Sequence, residues 1–530
     1  MNLNCSNADW GTCKNATTPG SNVAKKPPTN ETKCKLVANI YRRRTSNSKL
    51  NSMPSQKKGC PQPASMPVTS SPASTADNAT TPPLVQCLEP EDWDRPVPNH
   101  QYSLGQIAGA LSLKVDCRGS LRGTALATGL ISRLLGGEQR VPSPTSVRSW
   151  LLRVGLYRLQ RPLEQADDWV WIVDHTVQIG ELKCMIIIGF RLSAWQQKQD
   201  RRLCYEDVEL VGLWPVRTST GEIVDKQMES AIARTGCPCV VVSDDGRDLH
   251  LGLALFQARH PTVQWIYDIK HKTASLLKRE LEGNALWTAY AQRANQMKRQ
   301  VQQTELAFCN PPQQRGKARY MNVDTLVDWG AKILQWLDEP RPTGRDLDAD
   351  RLEEKVGWLR EYREPLAHWQ QALQVIETAE TLVRREGFHA GSEVQLRDRL
   401  PRVTADSLAG RLREKLLEFT KEQVSRVPQD SRFPGSSEVL ESIIGKYKTM
   451  QGERGQFGVT GMLLSIGAFV GRLTVDGIGT ALTTINGAAL KEWEKKNLGA
   501  TIQSQRKQAF PTANHGTKTR SQELILTAAN

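Results

Sequence analysis

Four short stretches carry carboxylates whose setting suggests chemistry. In "WVWIVDHTVQIG" (169–180) five apolar residues run directly into Asp174, and further apolar positions follow. Such a run reads as a buried strand, where an ionised carboxylate is costly unless it is paired or binds a metal. Asp244 closes a second apolar run in "VVVSDDGRDL". Glu438 and Glu441 lie one helical turn apart in "SSEVLESIIGKYK", and Asp268 and His271 stand three apart in "YDIKHK". Carboxylate oxygens suit hard divalent cations such as Mg²⁺ and Mn²⁺, which also bind phosphate oxygens. Two such ions about 3.5–4 Å apart activate an attacking hydroxyl and stabilise a leaving oxygen in phosphoryl transfer. Taken singly, each residue has a plainer reading. Asp174 fits a strand end, Asp244-Asp245-Gly246 a tight turn, Asp268 a helix cap with His271 on the surface, and either glutamate a solvated helix face.

The elements around these residues decide between the readings. From Asp168 three Val-, Ile- and Trp-rich segments (168–180, 182–195 and 206–220) suggest a strand meander. A helix over 221–236 follows, then a strand over 237–246, a helix over 247–260 and a strand over 262–271. The order β-β-β-α-β-α-β is that of a ribonuclease H-like α/β fold with a mixed sheet. In that fold the first and fourth strands are adjacent and parallel, which brings Asp174 and Asp244 to one sheet edge. The fold needs one more helix. After a charged, strand-free block over 273–434, the segment 436–448 supplies it, with Ser436 or Ser437 as its cap and Val439, Leu440, Ile443 and Ile444 as its apolar face.

Upstream, a helical region over 93–162 ends in "VPSPTSVRSWLLRVGLYRLQRP". Ser143 or Thr145 can cap a helix with Val147, Leu151, Val154 and Leu156 on one face. The opposite face would present Ser146, Arg148, Ser149 and Arg153 to DNA, as in a helix-turn-helix module. A tail over 1–92, rich in Ser, Thr, Asn, Pro and Lys, reads as disordered. The expected layout is therefore tail (1–92), DNA-binding helices (93–162), catalytic core (163–272 and 435–475), helical insertion (273–434), and a C-terminal helix and tail (476–530).

The chain of 530 residues carries a net charge of +14. Its first 90 residues hold eleven Lys and Arg against four Asp and Glu. This balance suits a polyanionic partner, nucleic acid before membrane. Eleven cysteines without a C-x-x-C pair support neither a zinc site nor a disulfide framework, so a reducing cytoplasm is expected. The apolar stretch over 457–471 is shorter than the roughly 20 residues of a membrane span and reads as a buried helix.

The run from Asp174 through "SDDGRDL" and "YDIKHKTASLLKREL" to "SSEVLESIIGKYK" resembles the DDE transposases of bacterial insertion sequences. The similarity extends over about 102–472 and includes an insertion ahead of the Glu helix. The resemblance implies two Mg²⁺ or Mn²⁺ ions held by Asp174, Asp244 and Glu441, with Glu438 as the alternate ligand. It implies cleavage at transposon ends and strand transfer into target DNA, in a cytoplasmic, nucleoid-associated homo-oligomer assembled on DNA and not on a membrane. Six residues separate Glu441 from Lys448, the Glu-to-Lys spacing of the Tyr-Arg-Glu-Lys signature of one such group, although Ser437 and Pro434 occupy its Arg and Tyr positions. There Lys448 would contact a DNA phosphate, with Lys446 beside it. Asp268 and His271 would orient DNA or water. Lys298, Arg299, Arg315, Lys317 and Arg319 form a basic run suited to phosphate contacts. Trp287 reads as core packing ahead of base stacking. Two other readings remain at this level: a nuclease or resolvase that only hydrolyses, and a DNA-binding derivative without catalysis.

Overall fold

The computed structural model describes residues 94–134, 140–177, 180–313, 320, 322–339, 348–451 and 458–510. The expected disordered tail over 1–92 and the basic residues Arg315, Lys317 and Arg319 lie outside them.

Three helices come first: α1 (Leu104–Val115), α2 (Leu121–Leu134) and α3 (Pro144–Gln160). Ser103 starts α1 with a capping box completed by Gln106, and Ser143 caps α3, as its sequence suggests. The sheet follows with β1 (Trp169–Val177), β2 (Lys183–Arg191), a short α4 (Leu192–Gln197) and β3 (Glu209–Val216). Then come α5 (Gly221–Thr235), β4 (Val240–Ser243), α6 (Arg247–Arg259), β5 (Gln264–Tyr267) and α7 (Ile269–Leu281).

The five strands form one mixed sheet in the order β3-β2-β1-β4-β5. β1–β2 and β2–β3 are antiparallel, while β4 runs parallel to both β1 and β5. Alternate side chains build two layers, as strand pleating requires. Trp171, Val173, Ile187 and Val241 meet Val224, Met228, Leu253 and Phe256 of α5 and α6. Val170, Ile172, Val240, Val242 and Ile266 face the opposite, larger core.

All five strands are shorter than their sequence segments, and two end in a helix where extended chain is expected. The segment expected to stay extended to residue 195 turns helical at Leu192. Asp168 ties that corner by accepting from Ser193 N (3.2 Å), Ser193 Oγ (2.5 Å) and Arg191 Nε. The strand expected to reach 271 stops at Tyr267, where Asp268 caps α7.

Over the expected insertion the described residues form six helices joined by loops: α8 (Ala285–Val301), α9 (Val323–Asp338), α10 (Ala349–Val356), α11 (Arg363–Glu386), α12 (Ser392–Arg399) and α13 (Leu408–Val424). It closes back on the sheet. Tyr267 N donates to Gln423 Oε1 at 3.0 Å, and Arg426 Nη1 donates to Trp265 O at 2.6 Å. These contacts occupy the open edge of β5, which would otherwise present unpaired backbone groups. Phe388 and Phe433 then pair as an isolated bridge just ahead of α14 (Glu438–Gln451).

The chain finishes with α15 (Ser465–Phe469), α16 (Val475–Thr484), α17 (Gly487–Asn497) and α18 (Ile502–Ala509). Among the described residues no helix is long and apolar enough to cross a membrane. The apolar stretch over 458–471 forms a tight turn and α15, packed against α3.

This packing corrects one expectation. α3 is not half-exposed with an arginine face. Trp150, Leu152 and Gly155 are buried as well as the predicted apolar positions. A Cβ at Gly155 would stand 1.7 Å from Leu464 O, so only glycine permits this crossing. Arg153 turns inward to the carbonyls of Leu482 and Ile485 at the end of α16, and to His100 Nε2 at 2.8 Å. Arg148 pairs with Glu494 of α17 at 3.2 Å. Ser146, Arg148 and Ser149 stay half-buried on the remaining face, with both arginines engaged by the C-terminal helices.

Candidate metal centre at the sheet edge

Register alone gathers the carboxylates. In the parallel pair β1–β4 the last partners are Val173 and Ser243, and in β4–β5 they are Ser243 and Tyr267. The next residue on each strand is an aspartate: Asp174, Asp244 and Asp268. All three share pleat parity with Ile172, Val242 and Ile266, so they belong to the larger core's face of the sheet. α14 packs beside β1 and carries Glu441 there.

Asp268 is fully buried and fully engaged. Its Oδ1 accepts from Ser437 N at 2.6 Å, and its Oδ2 accepts from His271 N and lies 2.8 Å from His271 Nδ1. One carboxylate thus caps α7 and anchors the start of α14, which α7 also meets through Ile269 N donating to Gly435 O at 2.9 Å. His271 Nδ1 lies 3.6 Å from Glu441 Oε1. Ligand atoms of Asp268, His271 and Glu441 all fall within 4.8 Å of one another, close enough to share a cation.

The electrostatics separate these groups. Burial, and next the neighbouring Asp244 charge, push the Asp174 carboxyl up to about 7. The His271 charge and the His175 N–H, which donates to Asp174 Oδ1 at 2.6 Å, only partly offset this. Burial and then Asp268 also raise Glu441 above the usual carboxylate range. Burial would lower His271, but its hydrogen bond to Asp268 and the charges of Asp268, Glu441 and Asp244 outweigh it and lift the imidazole to about 9. The edge is an acidic cluster in which Asp174 faces a like charge.

The two candidate glutamates point to different neighbours. Glu441 stands beside His271, and its Oε1 accepts from Ser437 Oγ at 3.4 Å. Glu438 pairs with Arg384 of α11 at 3.2 Å. Lys448 is exposed on α14, while Lys446 Nζ sits 3.5 Å over the Tyr205 ring. Lys298 and Arg299 stand in the last turn of α8, among the helices of the insertion. Trp287 packs edge-to-face on Trp369 at 5.0 Å between centroids and is largely buried, in keeping with a core role.

Sequence reasoning missed Lys270 and Glu380. Glu380 of α11 accepts from Thr273 at 2.5 Å, and burial lifts its carboxyl to about 7. The charge of Glu441, followed by that of Glu380, holds Lys270 above the usual ammonium range despite its burial. No spacing signal links residues 270 and 380. By contrast, the Asp268 cap was visible as an Asp three residues ahead of a His at a strand-to-helix junction.

No protein-family model matches the chain, and no curated protein sequence matches it. Among solved structures, the chain is similar to the Drosophila P element transposase strand transfer complex, at a TM-score of 0.33 and 10% identity. That likeness covers 74% of this chain and 94% of the other.

Proposed function

We propose that the chain is a metal-dependent DDE transposase with a ribonuclease H-like core, in which Asp174, Asp244 and Glu441 hold two Mg²⁺ or Mn²⁺ ions. The observation that carries this reading is the register. Asp174 and Asp244 fall side by side on adjacent parallel strands, α14 brings Glu441 to the same face, and burial followed by the Asp244 charge drives the Asp174 carboxyl up, a penalty that a bound cation would offset. The donor set fits, because all three are hard oxygen ligands. Bound there, the ions would supply charge neutralisation at a phosphodiester and activation of the attacking hydroxyl.

The chain's own residues do the rest by positioning. Asp268 is a positioning residue, fixing α14 and His271 at once. His271, held cationic, sets a hydrogen-bond donor and a positive charge beside Glu441. Lys446 and Lys448 on α14, with Lys298, Arg299, Arg315, Lys317 and Arg319 in the insertion, are the proposed contacts to transposon-end and target DNA. Arg153 drops out of that set, because it is engaged inside the fold, while Arg148 stays in it, half-exposed in its pair with Glu494.

The test is Mg²⁺-dependent cleavage of the element's own ends, followed by strand transfer of precleaved ends. Asp174→Ala, Asp244→Ala and Glu441→Ala should each lower cleavage on the order of a thousandfold, the size of losing several kcal/mol of transition-state stabilisation. Full activity in Asp174→Ala would sink the reading. Cleavage without strand transfer would mark a hydrolytic nuclease instead.

A further inference from the structure

Behind the candidate metal centre lies a second, basic site. A cleft opens at the start of α14, lined by Trp195, Arg201, Arg202, Arg384, Ser436 and Glu438 among others. Arg201 and Arg202 come from the loop between α4 and β3, while Arg384 comes from the insertion. Three arginines and one glutamate thus line the cleft, and Glu438 pairs with Arg384 at 3.2 Å. The remaining charge is lightly committed. Arg201 Nη2 reaches Gln196 O at 3.3 Å, and Arg202 Nη2 lies 3.8 Å from Asp200. Nε of Arg201 and Nε of Arg384 are closed off from solvent and have no hydrogen-bond partner among the described residues. Buried donors left in this state are costly, and a turn of either side chain toward the cleft would present them to the oxygens of an anion.

The loop is held rather than free. Trp195 Nε1 donates to Arg201 O at 2.6 Å, and Gln196 Nε2 donates to Arg432 O at 3.0 Å. The guanidinium fork matches phosphate oxygens in geometry as well as charge. Glu438, on the cleft, and Glu441, at the metal centre, are separated by one helical turn, about 4.5 Å of rise along α14. Successive phosphates on one DNA strand advance by a similar distance, about 3.4 Å of axial rise.

We propose that Arg201, Arg202 and Arg384 form a phosphate pocket that grips the DNA backbone one or two nucleotides from the bond being cut. This rests on the DNA-cleaving reading of the adjacent carboxylates. The grip is sequence-independent, because phosphate contacts position a duplex without reading its bases. It also couples the insertion to the Glu helix, since Arg384 belongs to α11 and pairs with the residue one turn before Glu441.

Binding of the full chain to a duplex oligonucleotide in EDTA, across a salt series, reads the contacts without cleavage. Replacing both Arg201 and Arg202 with Gln should weaken binding about tenfold or more for every sequence and lower the log–log salt slope by about 2. The single Arg202→Gln variant, the milder change to the fold, should lower it by about 1. Replacing both with Lys should restore the slope, because the slope counts charges. An unchanged slope in the Gln variants overturns the pocket while leaving the function reading intact. Wild-type protein that neither binds nor cleaves DNA overturns both. Inorganic phosphate that binds wild type through Arg201 and Arg202 without displacing DNA at equal ionic strength would assign the pocket to free phosphate and overturn its assignment to the backbone.

Discussion

Asp174 and Arg153 present the same puzzle in two parts of the molecule, and the structure resolves them oppositely. Each is a charged residue set in an apolar element, Asp174 in β1 and Arg153 in α3. Arg153 is surrounded by acceptors, the carbonyls of Leu482 and Ile485 and the ring of His100. These carbonyls belong to the end of α16, where a helix exposes unpaired oxygens and a partial negative charge. Asp174 instead meets Asp244, a group of its own sign. A buried charge with complementary neighbours holds a fold together. One whose neighbours repel it destabilises the fold until a ligand of opposite charge arrives, and such groups concentrate at functional sites.

The contrast can be broken by substitution, and Asp268 gives the largest expected effect. It belongs to the structural kind although it stands in the acidic row, because its two oxygens bind Ser437 and His271. Asp268→Ala should cost about 3–5 kcal/mol, the range for removing one member of a buried charged pair, as read by denaturant unfolding. A cost below about 1 kcal/mol would remove Asp268 from the role of anchoring α14.

Asp174→Asn should act with the opposite sign and raise metal-free stability at pH 8 by about 1–3 kcal/mol. The pH dependence follows from the raised carboxyl. The unfolded group titrates near about 3.9, and the folded group near about 7. The folded state therefore binds the extra proton between those values, and wild type loses this contribution as pH rises from 4 to 7. The Asn variant lacks that descent. A parallel pH profile for the two proteins would show that Asp174 suffers no repulsion.

Arg153→Ala should cost about 1–3 kcal/mol by leaving carbonyls of α16 without a donor, while the salt slope of DNA binding stays unchanged. A shallower slope would return Arg153 to the DNA surface. The smallest effect belongs to Arg148→Ala, at about 0.2–1 kcal/mol, because its pair with Glu494 is half-exposed.

The same contrast explains what the sequence could tell. Apolar runs rich in Val, Ile and Trp made the sheet legible, and the strand order brought Asp174 and Asp244 to one edge. Capping chemistry made the start of α3 legible and offered Asp268 as a cap, since Ser143 and Asp268 act within three residues of their partners. The enclosure of α3 was not legible. Its partners lie more than 300 residues downstream, and nothing local distinguishes an arginine facing solvent from one capping a distant helix. The early end of β2 was hidden for the same reason, because Asp168 reaches across 25 residues to fold the chain at Ser193. The pairing of Glu438 with Arg384 was hidden too, because Arg384 stands 54 residues before it in the chain.

Calorimetric titration of Mn²⁺ into the full chain tests the central claim most directly, because it needs no knowledge of the DNA ends. Wild type should bind with a heat signal and gain about 2.7 kcal/mol of stability at a hundredfold excess over Kd. Asp174→Asn and Glu441→Gln should lose that binding, while Glu438→Gln keeps it. Equal binding by all four proteins would contradict the account.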